Sequence, residues 1–239
     1  MPDPRLIGPQ DSSTPAELKS SRWRARALPD DLLREASHRL GVMSLLGAAL
    51  WLLGSLSDHV ALRAMSHGDP RWLRLDATDG IAAASVLASL ALFAYTRKAH
   101  RDPRFVLDLG LVYMVLTALA LGLTFHWNGV PAEWPIFPVI TWIGAVVLMF
   151  AAIVPSTPVK TLGAGLIAAS MNPIGMLIAR ARGSWDFGAA SNVLLMHYPD
   201  YILVGVSVVI STVVTRLGQQ VAKARELGSY QLGDLLGRG

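Results

Sequence analysis

Residues 105–127, FVLDLGLVYMVLTALALGLTFHW, decide the fold class of this 239-residue chain. These 23 residues include one formally charged side chain, that of Asp108. At 1.5 Å per residue, a helix of this length covers the roughly 30 Å hydrocarbon core of a bilayer. A helix on the surface of a soluble protein would show a polar stripe, and this stretch has none. It therefore predicts a transmembrane helix.

Five further apolar blocks have similar lengths. They cover about residues 40–56, 77–96, 134–154, 161–179 and 198–215. Hydrophobic residues make up 52% of the chain and charged residues 16%, against about 25% charged in soluble domains. We therefore expect an all-α fold, a polytopic membrane bundle of six transmembrane helices. The second and sixth blocks are the weakest, and a buried or re-entrant segment is the alternative for either.

Composition excludes several classes of site and partner. The chain has no cysteine, so disulfides and thiolate metal sites are excluded. The net charge of +4 comes from basic residues that lie between the apolar blocks, which favours a lipid bilayer as the partner over nucleic acid. Residues 1–39 contain no apolar core typical of a cleavable signal peptide.

The same pattern divides the chain into segments. Residues 1–39 are predicted to form a cytoplasmic leader with short amphipathic helices, one of which places Leu32, Leu33, Ala36 and Leu40 on a face suited to the membrane surface. Residues 40–215 form the predicted transmembrane domain. Residues 216–228 are polar and favour helix, so we expect a cytoplasmic linker helix that continues the sixth span.

The distribution of basic residues predicts the orientation. Sixteen of the 21 Lys and Arg residues lie in the N-terminal region, the second and fourth loops and the C-terminal tail. The remaining five lie in the other loops. Because cytoplasmic loops of membrane proteins carry the excess of Lys and Arg, both termini are predicted to be cytoplasmic.

The last eleven residues, SYQLGDLLGRG at 229–239, follow the sixth span and its polar extension. They resemble the start of a bacterial eukaryotic-like (Hanks-type) serine/threonine protein kinase domain. In that family a Y-x-L-x-x-x-L-G-x-G stretch forms the first strand and opens the glycine-rich loop. The resemblance covers these residues alone, since the third glycine, the strand lysine, the catalytic-loop aspartate and the DFG motif do not occur here.

The resemblance implies a function for the longer parent protein. Gly237 and Gly239 would be nucleotide-binding residues of the glycine-rich loop, and the parent would use ATP and Mg to phosphorylate protein Ser and Thr hydroxyls. The 239 residues would then be a truncated piece without catalytic residues or a cofactor of its own. It would anchor the kinase in the bacterial inner membrane, and sensing and homodimerisation are further roles that the family layout suggests. The alternative is a self-contained six-helix membrane protein, a small transporter or scaffold without enzymatic activity.

Polar residues at the predicted outer face are candidates for sensing. His59, His126, His197 and Asp79 all map there, where they could titrate or bind a ligand, with solvated loop residues as the alternative. No spacing such as H-x₃-H occurs, so we predict no metal site.

Two further polar residues lie inside predicted spans. Asp108 is four residues from Arg104, and an ion pair near the interface is expected to explain it. Asn172 precedes Pro173, which predicts a kink in a helix whose small residues favour close packing, with a ligand cavity as the alternative.

Overall fold

The computed structural model of the protein describes residues 30–65, 74–98, 102–127 and 136–228. Six helices account for the regular structure of these residues. They are α1 (Asp30–Met65), α2 (Ala77–Thr96), α3 (Pro103–Trp127), α4 (Trp142–Ile153), α5 (Pro158–Ala181) and α6 (Ser191–Gly228). The predicted all-α class is confirmed for the described part of the chain.

Five of these helices, α1, α2, α3, α5 and α6, are long and apolar enough to cross a membrane. Many of their large apolar side chains point away from the bundle: Leu53, Leu87 and Val209 are each more than half exposed. Apolar surface of this extent is unfavourable in water and favourable against lipid chains. The helices are therefore those expected of a multi-pass membrane protein.

The fourth predicted span, 134–154, is wrong as a single helix. Residues 136–141 are not helical, and α4 begins at Trp142, with the side chain of Thr141 capping its first turn. Pro138 disfavours helix in the residue before it, and the N–H groups of Val139 and Thr141 are bonded to α6. The 12 residues of α4 cover only about 18 Å, so α4 alone is too short to cross the bilayer core.

The short helix predicted at the end of the leader is continuous with the first span. Residues 30–39 belong to α1, a single helix of 36 residues. The face that was assigned to the membrane surface is buried in the bundle, where Leu33, Ala36 and Leu40 belong to the main apolar core. Leu40 lies directly against Gly110 of α3, so this turn of α1 packs on protein.

The helices pack around α3 and α5. These two approach closely at Gly122 and Gly175, where a Cβ on either glycine would meet the backbone of the other helix. Helices α1 and α2 pack on each other and on α3, while α6 packs on α4 and α5. We refer to the two ends of the bundle as the Trp127 end, where α3 and α5 finish, and the Lys160 end, where α5 begins.

Candidate functional site

The candidate site is a buried polar network at the start of α4, built around Asp200. The backbone N–H of Thr141 donates to Oδ1 of Asp200 at 3.1 Å, and the Thr141 hydroxyl donates to Oδ2 at 2.7 Å. Asp200 lies in α6 and is 1% exposed. A buried carboxylate is stable only when it is well hydrogen-bonded, and here both oxygens have partners.

Asn172 of α5 completes the network. Its side-chain amide donates to Oγ1 of Thr141 at 2.8 Å and, at a longer 3.4 Å, to Oδ2 of Asp200. The Thr141 oxygen also accepts the N–H of Ile143 at 3.1 Å, which caps α4. The hydroxyl therefore uses its single donor and both of its acceptor positions. We call Thr141, Asn172 and Asp200 the Asp200 network.

Two features hold the non-helical segment 136–141 against α6. The N–H of Val139 donates to the carbonyl of Met196 at 3.0 Å. Pro199 lies inside α6 and has no N–H, so the helix has one donor fewer for the carbonyls of its preceding turn. Carbonyls near a helical proline are commonly bonded by groups outside the helix, as that of Met196 is by Val139. Non-helical backbone at membrane depth needs partners for its polar groups, and α6 supplies partners for the N–H groups of Val139 and Thr141.

Gly144 allows α4 to approach the network. A Cβ at this position would lie 2.8 Å from Oδ1 of Asp200 and 2.5 Å from Cδ1 of Leu203. Because real Cβ atoms do not approach so closely, a larger residue would push α4 and α6 apart. A groove of about 320 Å³ lies beside the network and is lined by Phe125, Val139, Ile140, Thr141 and Trp142. Exposed apolar side chains border this groove, including Trp142 and Ile140.

A buried histidine pair lies towards the Trp127 end. The rings of His126 in α3 and His197 in α6 are 5.6 Å apart between centroids. His126 also stacks on Trp185, with centroids 5.5 Å apart and an interplanar angle of 19°. The interpretation of these two histidines as solvated loop residues is wrong, because they are 1% and 0% exposed.

The other two candidates from the outer face form a second pair, on α1 and α2. Nε2 of His59 lies 2.9 Å from Oδ1 of Asp79, and the hydroxyl of Ser55 donates to the same oxygen at 2.9 Å. The other oxygen of Asp79 accepts the backbone N–H of Asp76, which caps α2. The four predicted residues thus lie as two pairs on different helices.

Asp108 has a partner that the sequence did not predict. Nζ of Lys160 in α5 lies 2.6 and 2.8 Å from the two oxygens of Asp108 in α3. Both side chains are about half exposed. This ion pair lies at the Lys160 end, away from the Asp200 network, and links α3 to α5.

The sequence did not identify Thr141 or Asp200 as site residues. A threonine directly before an apolar helical run is a common N-cap, and the prolines upstream of it favour a helix start there. Gly237 and Gly239 lie outside the described residues. Within the ranges that the structure describes, no group of three or more His, Cys, Asp or Glu side chains could hold a metal ion.

Comparisons with known proteins gave no match: no family model, no curated protein and no solved structure is similar to this chain.

Proposed function

We propose that this chain is the membrane module of a receptor-like serine/threonine protein kinase in the bacterial inner membrane. The observation that supports the proposal is the length of α6, a single helix of 38 residues from Ser191 to Gly228. At 1.5 Å per residue it covers about 57 Å, almost twice the hydrocarbon core. The kinase-like stretch 229–239 follows directly after its last residue.

The C-terminal part of α6 is suited to a cytoplasmic connection. Arg216, Gln220 and Lys223 are exposed along it, and residues 216–228 alone cover about 20 Å. Because a continuous helix is stiff, a shift or rotation of α6 within the bundle reaches Gly228 as a movement of the same helix. A kinase domain attached at Ser229 would receive that movement.

The orientation rests on charge. The segments at the Lys160 end, together with the chain termini, carry 16 of the 21 Lys and Arg residues, so this end is assigned to the cytoplasm. The Asp200 network and the histidine pair then belong to the half of the bundle nearer the outer face. Asp200 is part of α6 itself, so a change at the start of α4 acts directly on the helix that leads to the kinase.

In this function the parent protein transfers the γ-phosphate of Mg-ATP to Ser or Thr hydroxyls of proteins. Gly237 and Gly239 would let the backbone approach the phosphates, because glycine has no Cβ in the way. The chain described here supplies anchoring and the connection to the membrane. Protein substrates and a second copy of the chain are the partners that this function implies.

The test begins with the gene. Its coding sequence past codon 239 is expected to continue through a third glycine, a strand lysine and a DFG motif. The whole gene product, purified in detergent with Mg and labelled ATP, is expected to gain label on Ser or Thr, while the 239-residue chain alone gains none. An in-frame stop directly after codon 239 of the intact gene, or a continuation without kinase motifs, would overturn the proposal.

One observation favours a second candidate, a small transporter. Transporters often bind their substrate where a membrane helix is interrupted, and α4 is preceded by a non-helical segment beside the proline-containing part of α6. Such a protein would function without a kinase domain. The same gene sequence separates the two candidates, since a transporter is complete without the motifs named above.

A further inference from the structure

The histidine pair has polar atoms that nothing in the described structure satisfies. Both ring nitrogens of His126 and both of His197 have no hydrogen-bond partner among the described residues. Both side chains are almost completely buried. Most buried polar groups in native proteins have a partner, so orphaned nitrogens in a buried pair indicate a bound water or ion.

The surroundings of the pair are soft and apolar. Trp185 stacks on His126, and Met176, which is 0% exposed, belongs to the same buried cluster as Trp185. Met196 packs against that cluster from α6. The cluster that packs on His126 through Trp185 therefore contributes an indole ring and thioethers, with few hydrogen-bonding atoms.

The packing of α5 on α6 brings Met176 to the level of His197. Asn172 of α5 touches Asp200 of α6, and the two helices run in opposite directions. Met176 is four residues after Asn172, and His197 is three residues before Asp200, so each lies about one turn towards the Trp127 end. Met176 therefore lies at about the level of His197, and His197 packs against His126.

We propose that His126, His197 and Met176 bind one Cu(I) ion, which Trp185 covers. Thioether and imidazole ligands together select soft copper, and Cu(I) accepts fewer ligands than the four that Zn(II) takes. At a metal–nitrogen distance of about 2 Å, two imidazoles that share an ion have centroids at most about 6 Å apart, and the observed separation is 5.6 Å.

Other occupants fit less well. Mg²⁺ and Ca²⁺ need oxygen ligands, and the carboxylate of Asp200 is already engaged by Thr141 and Asn172. Zn(II) lacks a sufficient set of ligands, since no three His, Cys, Asp or Glu side chains group together in the described ranges. A buried water would find only the two imidazoles as strong partners, at the low end of the two to four that such waters need.

The experiment measures Cu(I) binding by the 239-residue chain itself, purified in detergent under anaerobic conditions. The chain competes for Cu(I) with a coloured Cu(I) chelator of known affinity, and bound copper is counted by elemental analysis. We expect one bound ion per chain and an X-ray absorption spectrum with both nitrogen and sulfur ligands. Zn(II) added under the same conditions is expected to stay in solution.

Matched variants identify the ligands. His126→Leu and His197→Leu are expected to abolish binding, and Met176→Leu, which keeps the size of the side chain, is expected to weaken it at least about tenfold. Met149→Leu and His59→Leu remove a methionine and a histidine elsewhere, and these variants are expected to bind copper as the unsubstituted 239-residue chain does. Met176→Leu keeps the test valid if a histidine variant fails to fold.

Two outcomes would overturn the proposal. The first is that the unsubstituted 239-residue chain binds no copper, in which case a buried water would be the partner of the unsatisfied imidazole nitrogens. The second is copper binding that Met176→Leu and the folded histidine variants leave unchanged, which would place the ion elsewhere. The assay involves no kinase activity, so its result is independent of the function proposed above.

Discussion

The carboxylate of Asp200 accepts two hydrogen bonds from one residue, Thr141, which lies 59 positions earlier in the chain. Oδ1 receives the backbone N–H and Oδ2 receives the hydroxyl. This pairing fixes the first turn of α4 to the first third of α6. The two hydrogen bonds therefore join α4, which follows the non-helical segment 136–141, to α6, the longest helix of the bundle.

Thr141→Val tests the strength of this connection. Valine has the shape of threonine without the hydroxyl, so Asp200 and Asn172 each lose a partner while packing is kept. Leaving buried polar groups unsatisfied is expected to lower the free energy of unfolding by about 1–2 kcal/mol. Unfolding of the detergent-solubilised chain, followed by circular dichroism during titration with a denaturing detergent, measures the change.

Thr212→Val is the matched control for that variant. The Thr212 hydroxyl donates to the carbonyl of Val208 in its own helix, so no other helix loses a partner. A change within about 0.5 kcal/mol is expected. Equal losses for the two valine variants would contradict a special role for Thr141.

Gly122→Ala tests the close approach of α3 and α5. The added Cβ would collide with the backbone carbonyl of Met171, which cannot rotate away as a side chain can. We expect a loss of about 1–3 kcal/mol in the same unfolding measurement. Gly163→Ala is the control, because nothing lies within 4 Å of a Cβ there and alanine favours helix. A Gly122→Ala chain as stable as Gly163→Ala would show that the helices are further apart.

Lys160→Met should cost little despite the short distance between Lys160 and Asp108. Both side chains are about half exposed, and exposed ion pairs contribute about 0.2–1 kcal/mol, screened by salt. A double-mutant cycle with Asp108→Asn, measured at low and at high salt, gives the coupling energy. A coupling well above 1 kcal/mol that salt leaves unchanged would contradict this expectation.

Inserting alanines after Lys223 tests α6 as a connection in the proposed parent kinase. One added residue rotates the following segment by about 100°, whereas seven added residues restore the helical phase to within about 20°. We expect autophosphorylation to change with one residue and to return towards the original level with seven. Equal activity for both insertions would show that helical phase is not transmitted.

The positions of most helices could be predicted from the sequence because the length of an apolar block is a local property. The block at 134–154 was wrongly predicted to be one helix, because residues 136–140, IFPVI, are as apolar as a transmembrane helix. Hydropathy takes no account of the N–H that Pro138 lacks. The burial of the Leu33 face of α1 was not predicted, because a face that packs on α3 has the same pattern as one that lies on a membrane.

The candidate site was harder to predict. Asp200, Thr141 and Asn172 come from three separate segments, and no spacing in the sequence indicates that they meet. The same holds for His126 and His197, which are 71 positions apart. Each histidine was identified as a candidate by its residue type and its place near a span boundary. Their burial and their pairing depend on how α3 and α6 both pack on α5.

Membrane topology is the property on which the whole account depends, and single-cysteine labelling measures it most directly. The natural chain has no cysteine, so each introduced thiol reports without background. With a membrane-impermeant maleimide on intact spheroplasts, we predict labelling of Asn128→Cys, and labelling of Val159→Cys and Ser229→Cys only after permeabilisation. Labelling of Val159→Cys in intact spheroplasts would contradict a crossing of the chain between residues 128 and 159, and labelling of Ser229→Cys would contradict the cytoplasmic end of α6.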